Sequence, residues 1–87
     1  MLVYCLLDRK LLQFGQGHLV VERNDEAIRR SVVDAVRGSS SLIEKHPEDF
    51  DLMCVGEFDQ ESGALVGALP RLVANVGDLL EALNAAR

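Results

Sequence analysis

The chain has 87 residues, 48% of them hydrophobic, with three Phe, one Tyr and no Trp. This is the size of one domain, residues 1–87, with a Leu- and Val-based core; it is too apolar for a disordered acidic tail. Fourteen acidic against nine basic side chains give a net charge of −5, which opposes avid coating of nucleic acid, since that affinity rests on phosphate neutralisation. The imbalance lies in residues 47–87, where the basic side chains are Arg71 and Arg87 alone. No run reaches the ~18–20 apolar residues of a membrane span. Met1–Leu7 is too short for a secretory signal and is followed by Asp8, Arg9 and Lys10. Cys5 and Cys54 fall in strand-like runs and are expected as reduced thiols in an intracellular setting.

In chain order, LVYCLLD at 2–8 reads as a strand whose two apolar faces place it inside a sheet. LLQFGQG is ambiguous, because Gly15 and Gly17 punctuate it. HLVVER, His18–Arg23, reads as a second strand. Asn24 is an N-cap, with Asp25 and Glu26 in the first turn where the helix dipole favours them. Ile28, Val32, Ala35 and Val36 recur at helical spacing, so residues 25–37 form a helix that Gly38 stops. Glu26 with Arg30, and Arg30 with Asp34, stand at the i, i+4 spacing of helical ion pairs. GSSS is a loop, with Leu42 and Ile43 tethering it to the core. Pro47 opens one short helical turn carrying Glu48 and Asp49.

Phe50 to Phe58 is a strand with Phe50, Leu52, Cys54, Gly56 and Phe58 on one face. DQESG is a five-residue turn with Gly63 at positive φ, and ALVGAL returns as a strand that Pro70 ends. Asn75 caps a final helix with Val76, Leu79, Leu80 and Leu83 as its stripe. The predicted fold is α+β: a mostly antiparallel sheet of about four strands with two helices packed against it, in the order β-β-α-β-β-α.

The chemistry-bearing residues point to surfaces. His46, Glu48, Asp49 and Asp51 are close in sequence, but no nucleophile sits in a recognisable elbow, and no catalytic residue is assigned. His18, His46, Cys5 and Cys54 lack metal-ligand spacing, so no metal site is expected, and the lone GQG is no dinucleotide fingerprint, so no cofactor is either. His46 reads as a turn residue packing against Asp49. His46, Glu48, Asp49, Glu57, Asp59 and Glu61 form a charged rim suited to steering a basic protein partner. Arg9, Lys10, Arg29, Arg30 and Arg37 are the candidates for a weak single-stranded DNA surface, with Phe14 or Tyr4 as a stacking platform. An α+β layer of this size with an open sheet face would gain from homodimerisation.

NDEAIRRSVVDAV at 24–36 is similar to the helix of a small nonstructural protein encoded by gokushovirus-type microviruses, tailless single-stranded-DNA phages that include those of Chlamydia. The resemblance is carried by Glu26-Ala27-Ile28-Arg29, His46-Pro47-Glu48-Asp49-Phe50 and Gly56-Glu57-Phe58-Asp59, then Gly63 and Pro70, and spans residues 2–83. The chain departs from that pattern around Phe14, which lacks paired aromatics, and in its Ala- and Leu-rich C-terminal third. The resemblance implies a non-capsid accessory factor in the bacterial host cytoplasm. Its expected role lies in viral DNA replication, or in the switch toward single-strand synthesis and packaging. The implied partners are the phage replication initiator or assembly proteins.

Overall fold

The computed structural model describes residues 1–15 and 18–85. The opening apolar run forms β1 (Leu2–Asp8), an interior strand of the sheet, and it has no polar face because successive residues Val3, Tyr4 and Cys5 are buried on both of its sides. Along one side lie β2 (Gln13–Phe14), opposite Leu7 and Asp8, and β3 (Val20–Glu22), opposite Leu2, Val3 and Tyr4. These two short segments act as one interrupted edge strand. The predicted strand His18–Arg23 is therefore shorter than expected, and the ambiguous segment before it supplies two further sheet residues. The buried Asp8 carboxylate turns the chain at the end of β1 by accepting the backbone N–H groups of Lys10 (2.9 Å) and Leu11 (3.2 Å).

Helix α1 (Asp25–Val36) starts as the sequence predicts, with the Asn24 side chain accepting the Ala27 N–H at 2.8 Å. It ends one residue before the predicted boundary, and Gly38 follows at φ +75°. Among the described residues, neither Glu26–Arg30 nor Arg30–Asp34 closes to ion-pair distance. The helix is held by its apolar face, on which Ile28 and Val36 are buried. After the serine loop comes a single turn, α2 (Leu42–Lys45), capped by Ser41. Only Ile43 tethers it to the core; Leu42 points to solvent. A 3-10 turn, Pro47–Asp49, follows as anticipated.

β4 (Phe50–Phe58) pairs with β1 on one side and β5 (Leu65–Asn75) on the other, all antiparallel. The turn between β4 and β5 holds Gly63 at φ +77°. β5 corrects the expectation that Pro70 ends the return strand, since it continues for five residues beyond it. The register shows how. Cys54 faces Arg71 and Gly56 faces Gly67, so residues 54–56 of β4 are matched by residues 67–71 of β5. Val55 alone is therefore opposed by Ala68, Leu69 and Pro70, a bulge with two surplus residues. It lies on the edge strand, where a missing N–H and an interrupted ladder are tolerated.

Helix α3 (Val76–Ala85) follows without a loop. Asn75 caps it by accepting the Asp78 N–H, and its amide donates to the carbonyls of Glu48 and Phe50 and to Asp51 Oδ1. One side chain thus fixes the helix start against the 3-10 turn. Gly77 sits at this junction because a Cβ there would crowd the Glu48 backbone at 3.2 Å.

The core has two adjoining parts. Tyr4, Ile28, Leu52 and Cys54 form one; Val36, Phe50 and Val76 form the other, with Leu6 and Val32 touching both. This is the predicted α+β layer, two long helices on one face of an antiparallel sheet. Cys5 and Cys54 are both buried and free. Cys54 pairs with Tyr4 across the strands, so Cys5, one residue along, points to the opposite face.

Candidate functional site

The six rim residues do not form one surface. β4 separates them: His46, Glu48 and Asp49 lie just before Phe50, and Glu57, Asp59 and Glu61 lie at or beyond its far end, roughly 25 Å away at 3.3 Å per residue. At the first end, the donor atoms of His46, Glu48 and Asp49 come within 4.8 Å of one another, a small solvated cluster. His46 is exposed and its backbone carbonyl accepts the Asp49 N–H. At the other end, Asp59 organises the hairpin tip: its side chain accepts the Glu61 N–H at 2.9 Å, and its backbone bonds Ala64 and Gly63. The Glu61 N–H, then the Ser62 hydroxyl and N–H, hold the Asp59 carboxyl below the usual carboxylate range. Glu57, Asp59, Gln60 and Glu61 then line an open cleft with Arg23 and Met1.

The basic candidates divide as well. Arg9 and Lys10 sit among acids. Arg9 is 3.8 Å from Asp51 and reaches the Glu48 carbonyl, and Lys10 shares a shallow hollow with Asp8, His46 and Asp49. Arg29, Arg30 and Arg37 do converge. With Asp34 they line a groove of about 380 Å³ between α1 and α3, floored by Val33, Leu79 and Leu83. None of the three enters an ion pair among the described residues. The stacking platform does not join them. Tyr4 is fully buried, which overturns its reading as a base-stacking residue, and Phe14 pairs with Leu7 on the sheet face away from the helices.

Tyr4 has a different use. Its hydroxyl donates to Asp25 Oδ1 at 2.7 Å, and Arg71 donates to both Asp25 oxygens at 2.8 and 3.1 Å. The pair and the hydroxyl tie β1, α1 and β5 together. The Arg71 guanidinium, and then the Tyr4 hydroxyl, hold the Asp25 carboxyl down at about 2. Burial, then Asp25, pushes the Tyr4 hydroxyl upward. Sequence reasoning missed this triad because its members are 21 and 46 residues apart, with no local pattern joining them.

Two further features had no sequence signal. An apolar hollow of about 440 Å³ lies between α1 and the sheet, lined by Leu6, Ile28, Val32 and Leu52 with His18 and Ser31 among its wall. The β4–β5 arm also carries uncovered apolar side chains: Leu65, Val66 and Leu72 are about 60% exposed and Leu69 is 91% exposed. Leu69 stands out because the bulge around Pro70 lifts it off the ladder.

A small two-layer α+β protein with split charge and an apolar, acid-tipped hairpin is thus the class defined by fold and surface. The family follows from comparison. Residues 1–79 match the family described as Phage ORF5 protein, and the chain belongs to it. It is 34% identical over 65 residues to Protein ORF5 of Chlamydia phage 1, covering 72% of this chain and 68% of that protein. No solved structure matches it. Among the described residues, no helix is long and apolar enough to cross a membrane.

Proposed function

We propose that this phage protein is a non-enzymatic accessory factor of the host cytoplasm, acting in viral DNA replication or in the switch to single-strand synthesis and packaging. It works through protein contacts. The observation that carries this reading is the β4–β5 arm, where Leu65, Val66 and Leu69 are exposed beside Glu57, Asp59 and Glu61. Exposed apolar side chains rimmed by charge mark interaction surfaces, and an edge strand offers a free row of backbone groups. The complementary partner has an apolar contact ringed by Lys and Arg, as a DNA-handling replication initiator or an assembly protein would. Purified chain is expected to bind the replication initiator or an assembly protein of its phage. Leu65→Glu with Leu69→Glu should weaken that binding at least tenfold (about 1.4 kcal/mol) with unchanged circular dichroism. Capture that is indifferent to both substitutions would remove the arm from the reading.

A second reading rests on the arginine groove. Arg29, Arg30 and Arg37 converge without ionic partners among the described residues, so they suit a phosphate backbone, and the absence of an aromatic from the described lining of that groove limits the contact to weak, sequence-indifferent binding. Anisotropy with a labelled single strand at ~50 mM salt tests it. Arg29→Gln with Arg37→Gln should lower the slope of log K against log salt by about 1.4 if each arginine meets one phosphate. A wild-type chain that leaves the oligonucleotide free at that salt concentration dismisses the reading.

A further inference from the structure

β5 closes the sheet on one side, and no described strand lies beyond it. Its first residues present backbone groups there as well as apolar side chains. Along an antiparallel ladder, hydrogen-bonded and non-hydrogen-bonded residue pairs alternate. The Asp59 N–H donates to the Ala64 carbonyl at 2.9 Å, so that pair is bonded. The next pair, Phe58 with Leu65, is not, and the Phe58 N–H turns the other way to the Met1 carbonyl at 2.8 Å. Glu57 with Val66 is bonded in turn, and the Val66 carbonyl oxygen lies against Gly56. Gly56 with Gly67 is then non-bonded. Leu65 and Gly67 therefore aim their N–H and carbonyl groups away from β4, in the phase that one further strand would need. The bulge at Pro70 bounds this stretch at one end, and the Asp59–Gly63 turn bounds it at the other.

Gly67 is the second observation. Its φ is not left-handed, and a Cβ there would meet open space, so neither backbone conformation nor crowding within the chain calls for glycine. Glycine weakens a strand, and close approach by another backbone is a reason to keep it. Directly opposite residues share a face. Val3, Gly56 and Gly67 thus form one row across three strands, and Leu2, Glu57 and Val66 form the next. The first row ends at the edge in a notch of two glycines. The second carries Glu57, which is exposed and has no ion-pair partner among the described residues.

We infer that the partner proposed above docks on this edge by strand addition. An extended segment of it pairs with Leu65–Gly67 and sets a large apolar side chain beside Gly67 and a lysine or arginine beside Val66. The inference rests on that reading of the arm and names the kind of segment the arm takes. The outward backbone groups supply the hydrogen bonds, and the alternate side chains supply the selectivity. The apolar side chain lies over the glycine notch and meets Leu65 on the diagonal. The basic side chain crosses Val66 toward Glu57, two strand spacings or about 10 Å away, a gap that a lysine and a glutamate bridge together. β5 sets no free charge against the segment, because its one charged residue, Arg71, is held by Asp25.

Amide hydrogen exchange read residue by residue tests this, on the purified chain alone and with the replication initiator or the assembly protein of its phage. In the free chain the Leu65 and Gly67 amides should exchange at least about tenfold faster than that of Val66. In the complex both should slow by at least about tenfold, while Val66 changes little. Gly67→Val fills the notch where there is room for it, so the circular dichroism should hold while affinity falls about tenfold. Glu57→Gln should weaken binding several-fold and leave the remainder less sensitive to salt. Binding that leaves Leu65 and Gly67 exchanging as in the free chain, or that ignores Gly67→Val, overturns strand addition and leaves a side-chain contact through the arm standing. If neither phage protein binds, the functional reading falls and this inference falls with it. Protection of the two amides that grows with the chain's own concentration, without a partner, would put a second copy on the edge and overturn the inference as well.

Discussion

Asp25→Ala should destabilise the fold by about 2–4 kcal/mol, more than a first-turn carboxylate ordinarily contributes. Its place after the Asn24 cap accounts for about 0.3–1 kcal/mol through the helix dipole. The ion pair with Arg71, whose side chain is half exposed, is screened by solvent and adds little. The larger part comes from Tyr4. Its side chain is fully buried and its hydroxyl donates to Asp25. Removing the acceptor leaves a buried donor unpaired, at about 1–3 kcal/mol. Asp25→Asn keeps an oxygen within reach and should cost distinctly less, and Tyr4→Phe removes donor and need together and should cost about 1 kcal/mol. In urea titrations the double variant Asp25→Ala with Tyr4→Phe should then be more stable than the two single losses added. Strict additivity would show that the hydroxyl finds another partner.

The same contact fixes the pH dependence at both ends. The Asp25 carboxyl is lowered from 3.8 to about 2 in the fold. A lowered carboxyl pKa contributes stability that is complete above the unfolded value, near 4, and is lost as pH falls through about 2. The Tyr4 hydroxyl is raised above its ordinary 10.0. Its contribution is complete below pH 10 and is lost as pH rises past it, because ionisation would put a phenolate beside a carboxylate in the core. The acid limb of stability against pH should therefore be shallower between pH 4 and 2 in Asp25→Asn, where the lowered Asp59 carboxyl still contributes, and the alkaline limb shallower above pH 10 in Tyr4→Phe.

How much of this was legible beforehand depended on whether the cause was local. Asn24, Gly38, Gly63 and Asn75 act on their own neighbours, and each does in the fold what its chemistry suggests. The apolar run 2–8 announced an interior strand because both faces had to be dry. Pro70 misled because its effect depends on which strand it occupies. In a central strand it would break the ladder; on an edge it sits in a bulge. Tyr4 misled for a related reason, since an aromatic in a strand can stack a ligand or fill a core, and only the position of Asp25 on another element decides. The charged residues were correctly read as surface, but adjacency in composition is not adjacency in space. The length of β4 splits the acids into two ends, and the β1 turn carries Arg9 and Lys10 away from the helix arginines. As a result, the groove gathers three of the five basic candidates, and the hairpin tip gathers three of the six rim candidates.

Gly56→Ala should cost roughly 2–3 kcal/mol, although it adds a single methyl group to a residue with ordinary backbone dihedrals. The reason is the register of three strands. Gly56 faces Val3 of β1 on one side and Gly67 of β5 on the other. A Cβ at Gly56 would be driven into the Val66 carbonyl oxygen and would stand 3.3 Å from the Gly67 Cα. These are backbone atoms, so no rotamer change relieves the crowding; β5 itself must move out. Gly67 is the control, because a Cβ there meets open space, and Gly67→Ala should change stability by no more than about 0.5 kcal/mol. Thermal or urea unfolding of the pair distinguishes the two. If both substitutions were equally mild, β4 and β5 would not meet in this register. The bulge that raises Leu69 and the arm that carries Leu65 and Val66 beside the acidic tip would then be placed differently. The stability of one glycine position is thus a direct test of the surface on which the proposed partner contact depends.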